Sequence, residues 1–101
     1  MIVIQATFPV DPDHHEQATE LMQSLAVQSR NENGILEYQV TIDIEDPHTF
    51  RFFELYEDEA AFGAHGETDH FEEFEAALPE LLAGEPSVTR YDVDSATDLE
   101  L

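Results

Sequence analysis

Five histidines, three tyrosines and no cysteine or tryptophan set the chemical repertoire of this chain. Without thiols there is no disulfide, no thiolate nucleophile and no zinc–thiolate centre. Acid–base chemistry must run on imidazole, phenol and carboxylate, or on a borrowed cofactor. His65 follows Phe62 by three residues and Ala61 by four, which places it on the apolar edge of a short helix. There it is either a pocket base or a core imidazole donating to a backbone carbonyl. An unperturbed pKa of ~6.5 suits it to proton transfer near neutrality. Glu54 alternates with Phe52 and Tyr56 and so points inward with them, where a carboxylate needs a partner. Arg51 faces the other way, leaving Arg90, Tyr38 or a histidine; Glu54 either orients a catalytic imidazole or ties strands together. Tyr56 can stack on a ring substrate, or fill the core with its hydroxyl satisfied. His70 falls in the first turn of the next helix. His14 and His15 diverge by ~100° on a helix and cannot share one ion. His65, Asp69 and His70 are the one imaginable metal trio, but Gly66 spoils their helical spacing, so no metal site is expected.

The elements that must position these residues are legible in the periodicity. Ile2 to Val10 reads as a strand with Ile2, Ile4, Ala6 and Phe8 on one face. Asp11 caps a helix with Pro12 at its first position, and Ala18, Leu21, Met22 and Leu25 carry the helix on to Asn31, before Asn33-Gly34 stops it. Leu36, Tyr38, Val40, Ile42 and Ile44 alternate with polar residues in a second strand. Glu45 to His48 has turn chemistry, so an antiparallel partner over Thr49–Tyr56 is expected. That third strand is apolar on both faces, with Phe50, Phe52 and Tyr56 on one and Phe53 and Leu55 on the other. Asp58 caps the short helix ending at His65, and Asp69 with Glu72 forms a capping box for another. Phe71, Phe74, Leu78, Leu81 and Leu82 form its stripe, and Ser87–Val93 is the last strand.

This β-α-β-β-α-β order is the split βαβ of an α+β, ferredoxin-like fold. Its helices cover one face of the sheet, so the doubly apolar third strand demands a lid. A second copy of the sheet supplies one, giving a two-fold homodimer. The domain is expected over residues 1–94, followed by an acidic tail over 95–101.

Composition narrows the function classes. At 101 residues there is room for one core, and 42% hydrophobic residues in clear patterns are incompatible with a disordered acidic chain. Twenty-four acids stand against three arginines, with no lysine, for a formal net charge of -21. Such a surface repels nucleic acid and anionic membranes. It fits a molar-salt cytoplasm, where self-repulsion is screened over ~3 Å, and stability is expected to rise with salt. No window supplies the ~20 apolar residues of a membrane helix. Met1 to Gln5 lack the basic region of a signal peptide, so a cytoplasmic location is expected. The acidic runs Glu57–Glu59 and Glu72-Glu73 are solvated faces.

Glu54-Leu55-Tyr56-Glu57-Asp58, Ala64-His65 and Thr68-Asp69-His70-Phe71, preceded by Glu32-Asn33-Gly34 and Tyr38-Gln39-Val40, together resemble the antibiotic biosynthesis monooxygenase (ABM) domain family. The resemblance spans Ile2 to about Val93 and is closest to the family's quinol monooxygenases, which are small dimeric α/β barrels. Tyr56 stands where that family has tryptophan, and Asp69 where it has proline. The resemblance implies oxygen insertion into a quinol or polyphenol with O₂ and without flavin, metal or other cofactor. It implies His65, Glu54 and Tyr56 as catalytic residues, and Phe52, Tyr38, Phe62, His70 and Phe71 as substrate-binding ones. Haem-degrading relatives carry a histidine one or two helical turns further on. Phe74 to Ala77 hold none here, which argues against haem. A non-catalytic dimeric domain that binds a small hydrophobic ligand or a partner protein is the alternative from a different class.

Overall fold

The computed structural model describes every residue from Met1 to Leu101. Its elements are β1 (Ile2–Pro9), a 3₁₀ turn (Pro12–His14), α1 (His15–Ser29), β2 (Ile35–Asp43), β3 (Asp46–Tyr56), α2 (Glu59–His65), α3 (Asp69–Ala77), a second 3₁₀ turn (Leu78–Leu81) and β4 (Ser87–Asp92). The four strands form one antiparallel sheet in the order β2-β3-β1-β4, with the helices on one face. This is the α+β, ferredoxin-like arrangement expected from the order of periodicities. No helix is long and apolar enough to cross a membrane.

Register decides which side chains meet. Pairing of Ile4 with Glu54 and with Arg90, and of Glu54 with Tyr38, puts Tyr38, Glu54, Ile4 and Arg90 in one row across the helix-covered face. The next row holds Val40, Phe52, Ala6 and Val88. Against these rows α1 packs Ala18, Met22, Leu25 and Ala26, and α3 packs Phe74; all five are buried. Phe8, Phe52 and Phe74 meet edge-on or tilted at 5.0 to 5.9 Å between centroids. Burial of each such ring is worth about 1.5–3 kcal/mol.

Several local expectations need correction. The alternation from Leu36 to Ile44 promised five inward side chains. A bulge between Ile35 and Glu37 turns Leu36 out to 53% exposure, and Ile44 sits fully exposed in the turn. The turn itself is tighter than Glu45–His48. Asp43 accepts from the amide of Glu45 at 2.8 Å and Asp46 from the amide of His48 at 3.1 Å, so β3 already begins at Asp46. α1 ends at Ser29 rather than Asn31. The cap of α3 is Thr68, not Asp69: its Oγ1 accepts from the Phe71 amide at 3.2 Å and donates to the His65 carbonyl at 2.8 Å. Thr68 thereby stitches the end of α2 to the start of α3.

Gly34 has φ +87°, a conformation that L side chains avoid, and a Cβ there would lie 2.5 Å from that of Ala61. The chain therefore turns hard after α1, and the Gly34 carbonyl accepts from the Glu57 amide at 2.7 Å. This close approach brings the segment after α1 against α2. On the sheet's other face, Phe53 and Leu55 are half-buried and Tyr91 is 46% exposed. Residues after Asp94 form no helix or strand and are exposed.

Candidate active site

Between the inward rows of the sheet and helices α2 and α3 lies a cavity of about 500 Å³. Its wall is largely apolar and includes Phe52, Phe62, Phe71, Tyr38, Glu54 and His65. Two sequence-derived candidates, Tyr56 and His70, do not reach this wall and stand one layer behind it. Tyr56 is completely buried.

Each polar group is placed by a local cause. Asp58 accepts from the Ala61 amide at 2.9 Å and starts α2, whose last residue is His65. His65 is 4% exposed, and its ring packs at 5.1 to 5.7 Å from Phe71, Tyr38 and Tyr56. Its Nδ1 lies 2.8 Å from Oε2 of Glu32, and Nε2 of His70 lies 2.7 Å from the same oxygen. An ionised carboxylate only accepts, so both nitrogens carry the hydrogen. A neutral His65 is then the Nδ1–H tautomer, with Nε2 as its acceptor nitrogen. That Nε2 is buried and has no hydrogen-bond partner.

Glu32 was visible in the sequence only as part of Glu32-Asn33-Gly34; nothing in the spacing announced that it would meet two imidazoles 33 and 38 residues away. The turn at Gly34 makes the meeting possible. The three donor atoms lie within 4.8 Å of one another. They differ from the trio rejected on spacing, because Asp69 is exposed and Glu32 takes its place.

Glu54 finds neither arginine nor histidine. Tyr56 Oη donates to its Oε1 at 2.5 Å. Arg90 is occupied by Glu59 at 2.8 Å and Asp92 at 3.0 Å, and lies over the Phe62 ring at 5.2 Å. Burial pushes the Glu54 carboxyl up to about 7, against the pull of hydrogen bonds from Tyr56 and Tyr38. Both phenols are raised well above the ordinary tyrosine value, by burial first and then by the charge of Glu54. The residues lining the cavity therefore include an imidazole with one buried, unpartnered nitrogen and a carboxyl that changes charge near neutrality, surrounded by aromatic rings.

The profile of the antibiotic biosynthesis monooxygenase family matches residues 1–93. The chain belongs to that family. This ABM domain is 38% identical over 93 residues to YcnE of Bacillus subtilis, provisionally named a monooxygenase, covering 92% of this chain and 98% of YcnE. A provisionally named antibiotic biosynthesis monooxygenase from Caulobacter crescentus is 30% identical, with a TM-score of 0.87 over 93% of the ABM chain and 90% of that structure. A Deinococcus radiodurans structure superimposes at TM-score 0.91 over 99% of both chains; at 23% identity it speaks for the fold.

Proposed function

We propose that this ABM domain oxidises a quinol or polyphenol with O₂ in the cavity, using His65 as base and no organic cofactor. The observation that carries this reading is the buried, unpartnered Nε2 of His65, a residue that lines the apolar cavity and whose opposite nitrogen Glu32 holds. A phenolic hydroxyl is the partner that this nitrogen lacks. Taking the phenolic proton leaves an electron-rich anion that can reduce O₂ by one electron. Collapse of the resulting pair puts oxygen on the ring, and loss of water gives a hydroxyquinone. The balance closes without an outside reductant: hydroquinone plus O₂ gives hydroxyquinone plus water. Imidazolium formed at His65 is stabilised by the Glu32 carboxylate, and the apolar wall keeps bulk water from the reactive pair.

Charge supports a neutral substrate. No lysine or arginine lines the cavity, whereas Glu54 and Glu75 do. The phosphate of a flavin or the propionates of haem would find no cation there. Oxygen uptake with a panel of reduced quinones and, separately, anionic phenols tests this reading in molar KCl. Uptake is expected with the neutral compounds and little with the anionic ones. Binding of the same compounds with no oxygen consumed would instead make the domain a non-catalytic carrier of a hydrophobic ligand.

Pairing belongs to the same proposal. Val3, Phe53, Leu55 and Tyr91 lie on the sheet face away from the helices, and a second copy would cover them. Light scattering in ~2 M KCl, where charge repulsion between copies is most screened, is expected to give twice the chain mass. A monomer mass would remove the dimer.

A further inference from the structure

We propose that Glu32, His65 and His70 form a site for one divalent transition-metal ion of the zinc class. Three elements converge on it: the turn after α1, the last residue of α2 and the first turn of α3. Their side chains are 13%, 5% and 15% exposed, so the donors are largely withdrawn from water yet reachable from the His70 side. Nδ1 of His65, Nε2 of His70 and a carboxylate oxygen of Glu32 lie within 4.8 Å of one another. Two imidazoles and one carboxylate suit Zn²⁺, Co²⁺ or Ni²⁺. Mg²⁺ and Ca²⁺ want oxygen ligands and are disfavoured.

Binding an ion asks for a local rearrangement of all three side chains. Ligands at ~2.0–2.1 Å from a tetrahedral ion stand roughly 3.3 Å apart, so Glu32 must retreat by about half an ångström from its 2.8 and 2.7 Å contacts and the two imidazole nitrogens, which lie within 4.8 Å of each other, must come to the same spacing. The ion replaces the two hydrogens that now bridge to Oε2. The proton on each ring moves to its far nitrogen, Nε2 in His65 and Nδ1 in His70. One carboxylate between two neutral imidazoles leaves a net negative site, and the formal charge of -21 draws cations to the whole molecule.

The consequence rests on the function proposed above. With the ion on Nδ1, His65 shows the cavity an N–H donor in place of a lone pair. It can no longer accept a proton, so the ion opposes oxidation.

Titration of EDTA-dialysed protein with Co²⁺ in molar KCl, read by visible absorption and by calorimetry, tests the site without reference to activity. One ion per chain is expected, displaced by Zn²⁺, with Zn²⁺ raising the melting temperature. Glu32→Gln and His70→Gln should each weaken uptake at least roughly tenfold, as loss of one of three ligands demands. Asp69→Asn should not change it. Nor should His48→Gln, which breaks the separate His15–His48 pair at 3.3 Å. Melting curves without metal confirm that each variant is folded. No uptake by the wild type, or equal uptake in a folded His70→Gln variant, overturns the site. Zinc uptake at this site that leaves quinol oxidation at full rate would uphold the site and contradict His65 as the base.

Discussion

His65→Gln is expected to cut quinol-dependent oxygen uptake ~10²–10⁴-fold, the usual contribution of a positioned base, while the protein still melts near the wild-type temperature. Glutamine has comparable reach and can donate to Glu32 as Nδ1–H does now, so the contact that ties α2 to the turn after α1 survives. What it cannot supply is the basic lone pair at the position of Nε2. Packing against Phe71, Tyr38 and Tyr56 changes modestly, because the ring is replaced by a planar amide in the same space. A purely structural His65 predicts the reverse pattern. The melting temperature would drop, and activity would fall only as far as the folded fraction. Oxygen uptake and thermal melts on the same samples separate the two.

The second large effect concerns stability and pH. Glu54 is raised from 4.5 in the unfolded chain to about 7 in the fold, chiefly by burial. Below pH 4.5 both states hold the proton, and the group costs nothing. Between 4.5 and about 7 only the folded state holds it, so folding stability attributable to Glu54 falls as pH rises. Above that window the fold carries a buried carboxylate, and the loss is complete at about 3 kcal/mol, taking about 1.36 kcal/mol per pH unit. Other acids titrate too, and those of Asp43 and Asp46 are lowered, which acts with the opposite sign. The useful quantity is therefore the wild type minus Glu54→Gln difference, from denaturant melts at fixed salt. It should decline by about 3 kcal/mol from pH 4 to pH 8 and level off at both ends. A difference that is flat, or that rises with pH, would mean that Glu54 is not the buried, proton-holding group described here.

Much of the scaffold was legible in the residues. Alternation along Ile2–Phe8 and Phe50–Tyr56, the Asp58 cap and the Phe74 stripe gave the element order, and the order gave the sheet. Glu54 was readable as an inward carboxylate because strand periodicity is two. Of its two phenol partners Tyr38 was among those foreseen, and Tyr56 was not, although it sits two residues on, on the same face, where a phenol can reach back to the carboxylate. Leu36 escaped because a bulge is a register event between two strands, invisible in the alternation of one. Thr68 displaced Asp69 as the cap because the His65 carbonyl, a tertiary neighbour, offered its hydroxyl a second bond. Glu32 was the largest omission. Its role depends on a left-handed turn at Gly34 and on two helices being stitched at Thr68, and neither leaves a spacing that a linear reading can count.

On the proposed function, Glu32 holds His65 with hydrogen on Nδ1 and leaves Nε2 to take the substrate's proton. Nitrogen-15 NMR of the imidazole rings in the metal-free protein at pH 8 reads this directly. Assigned through the His65→Gln variant, the His65 ring should show a protonated Nδ1 and an unprotonated Nε2, and a bound reduced quinone, kept without oxygen, should perturb Nε2 far more than Nδ1. A ring protonated at Nε2 with a bare Nδ1, or one whose Nε2 ignores the quinol, would contradict the account.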